Sequence, residues 1–273
     1  MKITALIENS GSEGLTPEWG LSLMIEYRGG RYLLDAGASE RCIENAGKLG
    51  VRLEDVDAAV LSHAHFDHSG GLEAFCRVND HAPIYLRAAA GENCYSRHGL
   101  IRAYIGLQKG MLGRLEKRLV RVEGDYTLAP GVTLVPHKQP DMAARGRRAR
   151  MYLREGRAFR PDDFAHEQSM VFELSSGLVI FNSCSHGGVD AILDEVRRTF
   201  PGAPVRAMVG GFHLVRTPPR AVRALADRLD ARGAPELYTG HCTGERAAKI
   251  LESRLPGRVH RMRTGSVFSL EDL

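Results

Sequence analysis

The segment His63-Ala64-His65-Phe66-Asp67-His68 constrains this chain more than any other feature of its sequence. With 11 histidines in 273 residues, chance would produce three histidines and an aspartate at these spacings on the order of one time in a thousand. In an extended chain side chains alternate with period two, so His63 and His65 point to one side and converge on one ion. Asp67 and His68 follow where Ser69-Gly70-Gly71 ends the extended run, and there they turn to a second ion nearby. Neutral imidazole and carboxylate are donors that zinc, iron and manganese accept. The glycines suit a tight turn that brings backbone close to the metals. Leu72 then opens a helix whose N-terminal dipole favours an anion.

A binuclear site needs more donors, and three other histidines stand in the right context. They are His186 in Asn182-Ser183-Cys184-Ser185-His186-Gly187-Gly188, His213 in Gly210-Gly211-Phe212-His213-Leu214, and His241 in Thr239-Gly240-His241-Cys242-Thr243-Gly244. Each follows an apolar strand and sits beside glycines, where α/β sheets carry functional groups at the carboxyl ends of strands. His81, His98, His137 and His260 lack that context and read as surface or loop residues. His166 precedes a strand and ranks below the three candidates. Cys184, two residues before His186, faces the same way in an extended chain. It is either a soft thiolate ligand favouring zinc or a thiol held just outside the coordination sphere.

The rest of the chain supplies the frame. Apolar Ile3–Ile7, Leu21–Tyr27 and Tyr32–Asp35, the last after the turn Arg28-Gly29-Gly30-Arg31, predict a hairpin-rich start. Arg41–Leu49 has helical spacing with Gly50 as its stop, and Asp57–Leu61 is a buried strand leading into the histidine segment. Leu100–Leu119 reads as helical and Val132–Val135 as a strand. Beyond a hairpin around Ser175-Ser176-Gly177, helices are predicted at Val189–Phe200, Pro219–Arg232 and Gly244–Leu255, with strands at Val205–Val209 and Glu236–Thr239. The two halves share a rhythm of hairpins first and alternating helices and strands after. We expect one α/β domain over residues 1–273, with the polar, arginine-rich Lys138–Asp163 as an excursion over the active site, since long loops in compact domains are usually functional.

Composition excludes several classes. At 43% hydrophobic and 26% charged residues the chain is neither disordered nor fibrous. Its longest apolar runs, such as Gly177–Phe181, are too short to span a bilayer, and Glu8 interrupts the N-terminus too early for a signal peptide. Five scattered cysteines without CxxC spacing fit reduced thiols, so the expected location is cytoplasmic. The net charge of +4 owes much to Arg145-Gly146-Arg147-Arg148-Ala149-Arg150. Without aromatic interleaving or an RNA-binding motif, that run reads first as a solvated loop and otherwise as an attraction for a phosphorylated or anionic substrate, with no nucleic acid expected.

His63-x-His65-x-Asp67-His68 resembles the signature of the metallo-β-lactamase superfamily. Leu33-Leu34-Asp35-Ala36-Gly37, Gly20-Leu21-Ser22-Leu23, Cys184-Ser185-His186, Gly211-Phe212-His213-Leu214 and Thr239-Gly240-His241-Cys242-Thr243-Gly244 resemble, more narrowly, the branch of dihydropterin/ribofuranosylaminobenzene-phosphate synthases, also described as metal-dependent hydrolases. About 90–161 is unmatched. The resemblance implies a four-layer αβ/βα sandwich with two divalent transition-metal ions, zinc first, with iron or manganese as alternatives. It assigns His63, His65 and His186 to one metal and Asp67, His68 and His241 to the other. Two departures stand out. Trp19 occupies a position where the branch often has histidine, and Cys184 replaces the bridging aspartate usual in the wider superfamily.

Three functions follow. As a hydrolase, the chain would use two metals to activate a bridging water, with Asp67 orienting it and receiving a proton and His213 as a further catalytic candidate. As a transferase, it would join a dihydropterin-methyl diphosphate to a ribofuranosylaminobenzene phosphate, the metals stabilising charge on the leaving diphosphate. As a metal-bound binding protein, it would keep the fold without turnover.

Overall fold

Short apolar strands punctuated by glycine open the chain. Lys2–Ile7, Ser22–Tyr27 and Gly30–Leu34 pair antiparallel in succession. Arg28 and Gly29 both have positive φ, 47° and 83°, the turn geometry that matches the twist of a two-residue hairpin. In the computed structural model, which describes residues 1–270, the chain forms two compact units. One comprises Met1–Glu123, Pro140–Gln168 and Arg263–Leu270, and the other Gly124–Gln139 and Ser169–Met262.

The first unit holds a seven-stranded sheet, which begins with Val267–Ser269 and the three hairpin strands and continues through Ala58–Val60, Ile84–Arg87 and Leu119–Val122. Its last four members run parallel. Parallel neighbours need crossover connections, and the helices Arg41–Lys48 and Leu72–Val78 lie in two of them. Leu6, Leu33, Ala59, Leu61, Phe75 and Ile84 form the buried centre of this unit. Each such Leu, Ile or Phe contributes roughly 1.5–3 kcal/mol by leaving water.

The second unit repeats the rhythm. Its seven-stranded sheet runs Val259–Arg261, Glu236–Thr239, Val205–Gly210, Gly177–Phe181, Gln168–Leu174, Val132–Pro136 and Tyr126–Ala129. Gln168–Leu174 and Gly177–Phe181 are an antiparallel hairpin, and the strands from Gly177–Phe181 to Val259–Arg261 are parallel. The helices Val189–Thr199, Pro219–Asp230 and Glu245–Arg254 bury Ile192, Val196, Ala226 and Leu251 with Ile180, Met208 and Leu237. The helices and the five inner strands match the sequence expectation to within a residue or two at each end, whereas the edge strands Tyr126–Ala129 and Val259–Arg261 have no counterpart in it.

The middle of the chain does not. Leu100–Leu119, predicted helical, contains instead the strand Ile101–Tyr104, a one-turn helix Met111–Arg114 and the start of another strand. Ile101–Tyr104 pairs antiparallel with Cys94–His98 across a tight turn in which Gly99 has φ +62°. The apolar residues behind the helical pattern, Leu100 and Ile101, sit at the hairpin tip and are 91% and 72% exposed, so their spacing carries no information about a buried face. Lys138–Asp163 is also more ordered than an excursion. It carries the helix Met142–Ala149 and the strands Met151–Glu155 and Ala158–Pro161, which join Cys94–His98 in a four-stranded sheet. Among the described residues no helix is long and apolar enough to cross a membrane.

Candidate metal centre

In the first unit, Ala58–Val60 ends where Val60 pairs with Leu34 of the neighbouring strand, which leaves Asp35 beside the residues that follow. Asp35 is buried in the left-handed region at φ 59°. Its Oδ1 accepts from the Ser62 amide at 2.7 Å, and its Oδ2 accepts from the Ser62 hydroxyl at 2.6 Å and from His68 Nδ1 at 2.7 Å. The Ser62 hydroxyl proton is thus committed to Asp35, so Ser62 Oγ must accept from His63 Nδ1, 2.8 Å away. One carboxylate therefore puts the proton of both rings on Nδ1 and the lone pair on Nε2, the arrangement that metal-binding histidines need.

The segment then folds tightly. His65 precedes the one-turn helix Phe66–Ser69, and the His63 ring lies 4.5 Å from that of His65 and 4.2 Å from that of His68. His68 Nε2 is 3.8 Å from Asp67 Oδ2. A lone pair and a carboxylate oxygen facing one another at that separation suit a cation shared between them, and on this donor chemistry a divalent metal fits. Trp19, the departure noted in the sequence, donates from Nε1 to Asp67 Oδ2 at 3.0 Å. Close backbone approach explains the glycines: a Cβ on Gly70 would stand 2.0 Å from the Ala38 carbonyl oxygen, and one on Gly71 2.3 Å from that of Ala36.

Sequence reasoning missed three neighbours of His65. His65, Cys94, Asp162 and His166 each present a potential ligand atom, all within 4.8 Å of one another and all buried. The Ala64 amide donates to His166 Nδ1 at 3.2 Å, while His166 Nε2 lies 3.1 Å from Asp162 Oδ2 and 3.6 Å from Cys94 Sγ. Burial opposes a charge on His166, but the Asp162 carboxylate, with Cys94, outweighs it and lifts the pKa well above 6.5. The Ala64 amide on Nδ1 opposes the second proton that this shift favours, and a ring with one proton carries it on Nε2, towards Asp162. The i, i+4 spacing of Asp162 and His166 was the one available signal in the sequence, and Cys94 comes from a separate hairpin.

In the second unit the candidate residues cluster at the carboxyl ends of parallel strands. Cys184, His186 and His213 place ligand atoms within 4.8 Å of one another, and so do Cys184, His241 and Cys242. Ser185, His213 and His241 are all left-handed, at φ 54°, 49° and 49°, backbone strain of a kind concentrated at functional sites. The loops are tied by Ser185 Oγ donating to the Gly211 carbonyl at 2.9 Å and by the Phe212 amide donating to Thr243 Oγ1 at 2.8 Å. The rings of His186 and His213 are 4.6 Å apart. Burial pushes the Cys242 thiol up, but hydrogen bonding with Cys184 and His213 and the charges of the His213 and His186 rings bring its pKa well below 9.0. His137, expected as a surface or loop residue, lies in a loop, but its side chain is covered: its Nδ1 lies 3.0 Å from Glu195 Oε2, and its ring fills the space that a Cβ on Gly187 would need.

The comparisons agree with this frame. The chain belongs to the metallo-β-lactamase superfamily, whose profile matches residues 16–167. It is 25% identical to the 7,8-dihydropterin-6-methyl-4-(β-D-ribofuranosyl)-aminobenzene-5′-phosphate synthase of Methanocaldococcus jannaschii, over 98% of this chain and 96% of that one. The crystal structure of a metal-dependent hydrolase of the β-lactamase superfamily superimposes with a TM-score of 0.85 and 26% identity, covering 100% of both chains. A diphosphatase from the PhnP family shares the fold, with a TM-score of 0.53 and 17% identity over 99% of this chain and 98% of that one.

Proposed function

We propose that this chain is a metal-dependent hydrolase of a small phosphorylated or otherwise anionic substrate. The observation that carries the reading is the Asp35 carboxylate, which commits the Nδ1 protons of His63 and His68 and leaves two neutral Nε2 donors beside Asp67. Such tautomer control serves metal ligation and has no other evident use in a buried core. The metal ligands on this reading are His63, His65, Asp67, His68, His186 and His241, with Cys184 either a ligand or a close neighbour, and the metals are two divalent transition ions, zinc suiting the donors best. When bound, such ions supply Lewis-acid polarisation and make a nucleophile accessible at neutral pH.

The chain's own residues do the rest. Asp67, its Oδ2 held by the Trp19 indole, accepts the proton of the attacking water. His213, fixed in a left-handed conformation, is the candidate to return a proton to the leaving group. A cleft of about 760 Å³ in the first unit borders the histidine segment at Phe66, Ser69 and Gly70 and is lined by Tyr104 and by the cation Lys109. A half-buried aromatic beside a cation suits a flat, anionic substrate.

A second reading has its own support. The full-length relative from Methanocaldococcus jannaschii is named as a synthase, which favours transfer of a dihydropterin-methyl group from its diphosphate to a ribofuranosylaminobenzene phosphate. The test is one panel, with purified metal-loaded protein assayed against phosphodiesters, lactones and thioesters and, separately, against a pterin diphosphate with its acceptor. Hydrolysis within the first set supports the hydrolase. Silence there with turnover of the pterin pair supports the synthase, and silence throughout overturns both in favour of a binding protein.

A further inference from the structure

The strands Gly177–Phe181 and Glu236–Thr239 do not touch, because Val205–Gly210 lies between them in the sheet, and two inter-strand spacings put them roughly 10 Å apart. Yet Cys184 and Cys242, each three residues beyond its strand, bring their Sγ atoms to 3.5 Å. They meet by folding over the end of the middle strand, where Gly210 and Gly211 stand. A Cβ on Gly210 would lie 2.0 Å from the Asn182 carbonyl oxygen, and one on Gly211 would lie 2.6 Å from Cys242 Sγ and 2.7 Å from the Ser183 oxygen. The missing side chains are what let the two thiols approach. The His213 amide donates to Cys242 Sγ at 3.2 Å and holds that sulfur in place.

We propose that Cys184 and Cys242 are a peroxide-oxidisable dithiol that closes reversibly to a disulfide. A disulfide needs its sulfurs about 2 Å apart, so side-chain rotation must bring them some 1.5 Å closer than the 3.5 Å observed. Cys184 and Cys242 are buried alike, at 4% and 2% exposure, and the chemistry is the same whichever is oxidised first. With Cys184 first, its thiolate attacks one oxygen of hydrogen peroxide, giving a sulfenic acid and hydroxide. The Cys184 thiol proton and that hydroxide make the first water; Cys242 then attacks the sulfenic sulfur, and the sulfenic hydroxyl leaves with the Cys242 proton as the second. The balance is two thiols and one peroxide to one disulfide and two waters.

The other three cysteines offer no such partner in the structure: Cys42 and Cys94 are buried elsewhere, and Cys76 is half-buried. The experiment treats the whole protein, as purified, with hydrogen peroxide, counts free thiols after denaturation and maps disulfide-linked peptides by mass spectrometry. The expected result is a fall from five thiols to three, a peptide pair joining Cys184 to Cys242 that is lighter by two hydrogens, and full recovery of thiols with dithiothreitol. Cys242→Ser should abolish the linked pair and leave Cys184 to proceed to sulfinic acid. Peroxide doses that oxidise half-buried Cys76 without yielding the 184–242 link would overturn the assignment, as would a link that forms equally in unfolded protein and not in folded. These readouts do not depend on bound metal or on turnover, so they stand or fall separately from the hydrolase reading.

Discussion

Asp35 Oδ2 receives His68 Nδ1 at 2.7 Å in a fully buried setting, and through Ser62 the same oxygen governs His63. Removing the negative charge while keeping the shape should release both rings. Asp35→Asn offers one oxygen and an NH₂ donor where three donors converge, so either Ser62 or His68 loses its acceptor. Carboxylates in this position typically influence metal affinity by about 10–100-fold. We expect zinc affinity, measured by chelator competition, to fall by that order while far-ultraviolet circular dichroism stays native. Unchanged affinity would show that the carboxylate does not set the tautomers.

The arginine run gives a second prediction. Arg147 and Arg148 lie in the last turn of Met142–Ala149, Arg150 follows it, and all three are exposed. Arg148 is within 3.6 Å of Asp141, an exposed contact worth little by itself. If the run attracts an anionic substrate, replacing Arg147, Arg148 and Arg150 with alanine should raise KM several-fold and flatten its dependence on salt. A KM and a salt slope that stay at wild-type values would make the arginines merely solvated.

How much of this was legible in the sequence differs by region, and the reason is physical. Helices such as Val189–Thr199 bury one stripe, and residues like Ile192 and Val196 reveal it by their spacing. The placement of the histidine segment at a strand end was readable for the same reason, since Ala58–Val60 is buried throughout. Asp35 shows in the sequence only as part of Leu33-Leu34-Asp35-Ala36-Gly37, because its role depends on the pairing of Leu34 with Val60, a contact between strands that local pattern does not encode. The hairpin Cys94–Tyr104 misled the reading because Leu100 and Ile101 are apolar yet exposed. Its stabilising pairs, Tyr95 against Tyr104 at 5.2 Å and Arg102 over the Phe159 ring at 4.4 Å, are cross-strand and long-range. The Asp162–His166–Cys94 cluster has the same character, assembled from two segments that only the four-stranded sheet brings together.

Burial pushes the Cys42 thiol up to about 12 from an ordinary 9.0, with the nearby Glu18 charge adding to the effect. The folded protein therefore keeps a proton that the unfolded chain surrenders above about 9. Stability linked to this group is fully present below that pH and is lost as pH rises through about 12, at up to about 1.4 kcal/mol per pH unit. Urea unfolding between pH 8.5 and 10.5, roughly the lower part of that window, should show a shallower decline for Cys42→Ala than for wild type, even though the variant starts less stable for lack of a buried sulfur. Parallel declines would mean that the thiol titrates alike in both states.

Cys184 and His186 make the last comparison, because they share one loop and one cluster with His213 but differ in what a metal would ask of them. The six ligands assigned to two ions leave open the coordination positions that catalysis needs, so a thiol contact is not required to complete either ion. The Cys184 sulfur also has a competing contact, since it accepts from Cys242 Sγ at 3.5 Å. On this account Cys184→Ala retains both metals by elemental analysis after reconstitution, and His186→Ala loses one. Metal content should then fall by half in the second variant alone, with the Asp35-anchored donors keeping the other ion. Should Cys184→Ala lose a metal as readily as His186→Ala, the cysteine is a ligand, and the superfamily's bridging carboxylate has been replaced here by a thiolate.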